Sequence, residues 1–245
     1  MILFVVAGSW QLSRMNEVRA ANDLIESRMQ VPEQSLAQVL AEVGDDLDAL
    51  AFRRVSATGA YDTNEEVLLS SRSHEGRPGH HLLTPLAIGE GAAIIVDRGW
   101  VPLELDEPPV AQARPVAAGD VQVTVNGILF PPDEDSQFGP RTGEGQVDYV
   151  GRVDLEKLQQ QMSTDLAPVY LLAQEQQPAP PGSLPLQAAS PDLDDGPHLS
   201  YAVQWFLFAL VVVVGYPLLV RRTARDRAAA RSGPEESDAA GVSTP

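Results

Sequence analysis

The sequence predicts a membrane protein of two transmembrane α-helices, the first truncated, flanking an extracytoplasmic α+β domain dominated by an antiparallel β-sheet or small barrel. Three observations predict it. Residues 201–220, YAVQWFLFALVVVVGYPLLV, carry no charged side chain, and twenty residues at ~1.5 Å each make a helix of roughly 30 Å, the thickness of the hydrocarbon core. The opening MILFVVAGSWQL is also apolar, yet about twelve residues reach only roughly 18 Å. Between the two lie seven short runs rich in β-branched residues, each bounded by Gly, Pro or Asp.

Composition narrows the function before any motif does. The chain has 245 residues with 34 acidic and 17 basic side chains, a formal net charge of −17 and no cysteine. Binding a nucleic acid needs a surplus of Lys and Arg to replace released counterions, so that class is excluded. Without cysteine there is no disulfide framework, no thiolate nucleophile and no Cys-ligated zinc or iron–sulfur site.

Taken in order, the N-terminus has neither the basic n-region nor the small-residue cleavage site of a secretory signal. It runs into SRMNEVRAANDLIESRMQ, where Met15, Val18, Asn22, Ile25 and Met29 fall at helical spacing until Pro32 stops the helix. Residues 1–12 are therefore expected to be the outer half of a first span. Its first half is expected to be missing because the start codon is placed too far downstream. Residues 13–173 form the extracytoplasmic β-rich domain. A helix is expected over 35–43, capped by Ser35, with Leu36, Val39, Leu40 and Val43 on one face. Strands are expected over 53–61, 66–71, 80–85, 92–101, 121–130, 147–153 and 169–173, with one helix over 155–162. Gly76, Pro78 and Gly79 mark a hairpin turn. Residues 174–197 read as a Pro-rich linker and 198–220 as the second span. The flank RRTARDRAAAR keeps residues 221–245 in the cytoplasm, first basic and then disordered.

Chemistry-bearing motifs are few. There is no G-x-S-x-G elbow, P-loop or H-E-x-x-H. His80 and His81, adjacent on a strand, point to opposite faces and do not converge on a metal. The acidic runs 133–135 and 192–195 lack the alternating spacing of a calcium loop. Arg98-Gly99-Trp100 closes the most hydrophobic strand, either as a structural arginine with a core or rim tryptophan or as a partner contact. His198 sits at the outer mouth of the second span, with Tyr201 and Trp205 on its helix face. Two readings stand at this point: an interfacial aromatic belt with a terminal histidine, or an axial ligand for haem iron lined by flat aromatic rings.

The ordered set GSWQLSR, GRPGHHLLTPL, VDRGWVP and HLSYAVQWFLFA resembles the Surfeit locus protein 1 family, from Gly8 to the end of the second span. The resemblance implies an assembly factor of haem-copper cytochrome c oxidase, not an enzyme, that assists haem a delivery or retention. Its implied partners are the oxidase catalytic subunit, the haem a synthesis machinery and membrane lipid; its implied location is the cytoplasmic membrane of a bacterium. His198 matches the family's haem-implicated histidine. Trp10, Tyr201 and Trp205 would wall the site, Gln11 or Gln204 would orient the ring or meet a propionate, and Arg14 would meet propionates at headgroup level. The competing expectation is a membrane-tethered acidic binding or sensor module unrelated to haem.

Overall fold

Apolar residues alternating along the central strands turn one row of side chains inward, and the strands curl until their ends meet. The computed structural model describes residues 1–44, 46–89, 91–114, 121–133 and 147–231, with side chains up to residue 227 in the last helix. The tail 232–245, expected to be disordered, and Glu134 and Asp135 of the first acidic run lie outside the described residues. The chain divides into two units, Met1–Asn22 with Leu193–Pro245, and Asp23–Asp192.

The larger unit is built on eight strands: β1 (Gln34–Ser35), β2 (Arg54–Tyr61), β3 (Val67–His74), β4 (Arg77–Gly89), β5 (Ala92–Pro102), β6 (Val123–Phe130), β7 (Tyr149–Val150) and β8 (Asp165–Gln177). Among the described residues they form one sheet in the order β1-β2-β6-β8-β5-β4-β3-β7. A further pairing of β2 with β4, Ala60 opposite Ala87 and Tyr61 opposite Leu86, joins the ends of the run β2-β6-β8-β5-β4 and closes it into a barrel. The sequence leads to a domain dominated by an antiparallel sheet or small barrel; among the described residues the sheet is a large mixed one in which five of the eight ladders are antiparallel. The β1–β2, β3–β7 and β5–β8 ladders are parallel, and the β2–β4, β2–β6, β3–β4, β4–β5 and β6–β8 ladders are antiparallel. A crossover explains the parallel pair at the heart of the barrel. Helix α4 (Leu155–Gln159) carries the chain back so that Asp165 starts β8 beside Ala92, the start of β5, and such a connection returns a strand in the parallel sense.

Inside the barrel, Val55, Ala57 and Tyr61 of β2, Ile94 and Val96 of β5, Val123, Val125 and Leu129 of β6, and Val169 and Leu171 of β8 share one buried cluster. Leu36 and Val39 of α2 (Leu36–Val43) and Leu50 of α3 (Leu47–Leu50) join it. The α2 start is the expected one: the Ser35 side chain accepts from the Gln38 N–H, and the Gln38 side chain accepts from the Ser35 N–H. Ile95, one residue on from Ile94, belongs instead to an outer cluster with Val67, Leu69 and Leu83, covered by Val150, Val153, Leu155 and Leu158. That switch is the period of two of a strand buried on both faces.

Several boundaries move. The strand expected over 147–153 contracts to Tyr149–Val150, and the helix expected over 155–162 to Leu155–Gln159. Helix α3 was not anticipated, because four residues are too few for a visible period. Of the segment 174–197, residues 174–177 end β8, and Leu186 pairs with Trp100 of β5.

The smaller unit holds the first part of α1 (Ile2–Met29), a helix that continues into the larger unit, and α5 (His198–Arg231). Among the described residues α5 is the one helix long and apolar enough to cross a membrane, with mean hydropathy 2.2 over its apolar window, and Pro217 stays within it. Helix α1 is apolar only in its first part and polar beyond Leu12, so it is not clearly a span.

Candidate functional site

The N-terminal part of α1 and the start of α5 pack side by side, and their contacts give the direction. Phe4 meets Phe208, Gln11 meets His198, and Arg19 meets Asp195. Rising numbers on one side meet falling numbers on the other, so the helices are antiparallel. Gly8 makes the approach close: a Cβ there would lie 2.9 Å from the Phe206 ring.

His198 is half-buried, and its Nδ1 lies 2.9 Å from Oε1 of Gln11. A carbonyl oxygen only accepts, so Nδ1 donates to it, and in the neutral ring this tautomer leaves the lone pair on Nε2. Gly196 lies beside that free nitrogen. It has φ +71°, and a Cβ on it would stand 3.5 Å from Nε2, so no side chain at 196 obstructs the nitrogen. Trp205 stacks on Phe4 at 5.9 Å between ring centroids and meets Phe208 edge-on at 5.9 Å.

The structure thus brings His198 and Gln11 together and places Trp205 in an aromatic trio. Trp10 and Tyr201, expected as walls, are 61% and 48% exposed, Gln204 is exposed, and Arg14 pairs with Glu17 at 3.0 Å on its own helix. Phe4, Gly8, Phe208, Arg19, Asn22 and Asp195 were missed. Gly8 had a signal, a small residue in an apolar helix where a partner helix would approach.

The Arg98-Gly99-Trp100 motif lies in the barrel unit. Period two from Ile94 and Val96 turns Arg98 inward, where its side chain is 2% exposed. Its Nη1 donates to Glu66 Oε2 at 3.1 Å, its Nη2 to the Ala113 carbonyl at 2.5 Å, and its guanidinium lies 4.9 Å over the Tyr61 ring. Glu66 also accepts from Thr84 Oγ1 and from the Val110 N–H, both at 2.8 Å. Burial pushes the Tyr61 phenol up, with Arg98 opposing the shift. Trp100 is fully buried; its backbone N–H donates to the Leu186 carbonyl at 2.7 Å and the Leu186 backbone N–H donates to the Trp100 carbonyl at 2.8 Å.

His80 and His81 do face opposite ways. His81 Nδ1 lies 2.8 Å from Asp97 Oδ2, whereas buried His80 sits edge-on against Tyr149. Burial lowers the His80 pKa, and Asp106 opposes the shift. Asp133 and Asp154, which line an open cleft with Glu156, are already engaged: Asp133 accepts from the Val153 N–H and Asp154 caps α4.

Residues 1–210 match the model of the SURF1 family. The chain is 28% identical over 242 residues to an uncharacterized SURF1-like protein of Mycobacterium bovis, covering 97% of this chain and 85% of that one. It is 25% identical over 222 residues to a SURF1-like protein of Rickettsia felis, covering 89% and 92%. A SURF1-like protein of Dictyostelium discoideum is 22% identical over 231 residues, covering 81% and 85%.

Proposed function

Because the chain belongs to the SURF1 family, a family of cytochrome oxidase assembly factors, we propose that it holds or delivers haem a while the oxidase catalytic subunit is made, and does so without catalysis. The observation that carries this reading is the hydrogen bond from His198 Nδ1 to Gln11. A ring nitrogen bound to a fixed acceptor orients the imidazole and raises the basicity of the other nitrogen, the usual arrangement behind a metal-ligating histidine.

The residues fit the group. A bound haem would supply the iron and its redox chemistry, and His198 Nε2 would be the residue nitrogen that holds it, with Gly196 leaving that nitrogen clear of a side chain. Trp205, Phe4 and Phe208 pack on one another roughly two to three helical turns along from His198 and Gln11, and Trp10 and Tyr201 add exposed rings on the two helices. Arg14 is exposed, and its planar fork is suited to exchange Glu17 for a propionate.

The same reading sets the location. Residues 198–220 span the cytoplasmic membrane outward-to-inward, 1–12 belong to a first span, 13–197 lie outside, and 221–245 lie inside, as the Arg-rich flank favours. The partners are the catalytic subunit, the haem a synthesis machinery and lipid. In the full chain in detergent, His198→Ala should lose co-purified haem at unchanged protein level. Wild-type haem content and Soret position in that variant would reject His198 as the ligand.

A further inference from the structure

We infer that Arg19 and Asp195 form a clasp that positions the His198 ring, an inference that rests on the haem reading above for its consequence but not for its geometry. Gln11, Met15, Arg19 and Asn22 recur at i, i+4, i+8 and i+11, so they make one stripe along α1. Three of the four bind the chain entering α5. Asn22 Nδ2 donates to the Leu193 carbonyl at 3.0 Å, Arg19 Nε meets Asp195 Oδ2 at 2.6 Å, and Gln11 meets His198. The fourth, Met15, is buried.

Between these pins the short entry segment is folded on itself. The Gly196 N–H donates to Asp194 Oδ1, and the Pro197 carbonyl accepts from the Tyr201 N–H and from Ser200 Oγ. With only two residues, Gly196 and Pro197, between the ion pair and the imidazole, movement of Asp195 passes directly to the ring. One neutral hydrogen bond at Gln11 holds an imidazole weakly when its backbone is free to shift. The clasp fixes that backbone. Arg19 and Asp195 touch neither the ring nor a ligand, so they are positioning residues.

The pair is 48% and 38% exposed, so its loss should weaken the site severalfold without abolishing it. The test uses the full chain in detergent micelles with ¹⁵N-labelled histidine, the His198 signals being assigned by their absence in His198→Ala. Haemin is the titrant. Asp195→Asn, which keeps the shape and removes the charge, should move the ring nitrogens toward tautomer-averaged shifts and weaken haemin binding about two- to fivefold. Arg19→Glu should do the same, and the reversed pair Arg19→Glu with Asp195→Arg should restore both readouts. Ring signals at their wild-type positions in the single variants, or a reversed pair no better than its parts, would overturn the clasp. If the wild type binds no haemin, the haem reading falls, and the ring signals alone still decide the clasp.

Discussion

Replacing Glu66 by Gln would leave the Arg98 guanidinium charged, 2% exposed and without its carboxylate. Breaking a buried pair from one side costs about 3–5 kcal/mol, because the surviving charge stays out of water. We expect Glu66→Gln to lower the urea midpoint of the full chain in detergent accordingly. The double change Glu66→Gln with Arg98→Met should cost less than the two single costs added, since it leaves no orphan charge. A single variant with the wild-type midpoint would mean that the pair does not hold this end of the barrel. Half of this arrangement was legible in the sequence. Arg98 stands in step with Ile94 and Val96, so its inward direction follows from the strand period. Its partner was not legible, because Glu66 lies 32 residues away and reaches Arg98 only through the folding of β3 and β4 against β5.

At the scale of elements, β5 shows what a motif can do beyond its own strand. Past Asp97, β5 has no further registered partner on β8, and the chain after β8 folds back so that Leu186 bridges Trp100 instead. Gly99 permits this approach. Its φ is +117°, and a Cβ there would lie 2.2 Å from the Leu186 carbonyl oxygen. Gln174 fastens the same segment, its Oε1 accepting from Gln187 Nε2 at 3.1 Å and from Ser190 Oγ at 3.0 Å. Gly99→Ala should therefore lift the segment off β5, adding backbone strain of order 1–3 kcal/mol to two lost hydrogen bonds. Faster hydrogen exchange at the Leu186 and Trp100 amides, with the Val96 amide unchanged, is the expected result; full protection at Leu186 would refute it. Composition led to a different reading here. Pro178, Pro180, Pro181 and Pro185 mark a stretch that cannot pair regularly, and proline content alone does not distinguish a free linker from one docked by a glycine 87 residues earlier. Strands β2, β5 and β6 were legible because β2 and the start of β6 alternate, and β5 opens on the apolar run Ala92–Val96. The parallel return of β8 was not, since its direction depends on a crossover that no local pattern encodes.

For the molecule as a whole, charge and hydropathy point the same way along the chain. By count, residues 13–197 hold thirty acidic and twelve basic side chains, whereas Arg221, Arg222, Arg225, Arg227 and Arg231 follow the apolar stretch of α5. Basic residues flanking a span are retained in the cytoplasm, while acidic ones have little influence, so under the proposed reading the arginine cluster would set the direction of α5. We expect a reporter active only in the cytoplasm to be active when fused after Pro245 and inactive when inserted after Ser190. The functional reading depends on that result through the position of His198. The histidine is the first residue of α5 and twenty-three before the first of those arginines, so it must lie at the outer surface if they lie inside. Active fusions at Ser190 with silent ones at the C-terminus would place His198 and Gln11 at the inner surface. The barrel would then be cytoplasmic, and the pair would have to meet haem from the opposite side of the membrane. In that case the acidic tethered module becomes the better description of the chain.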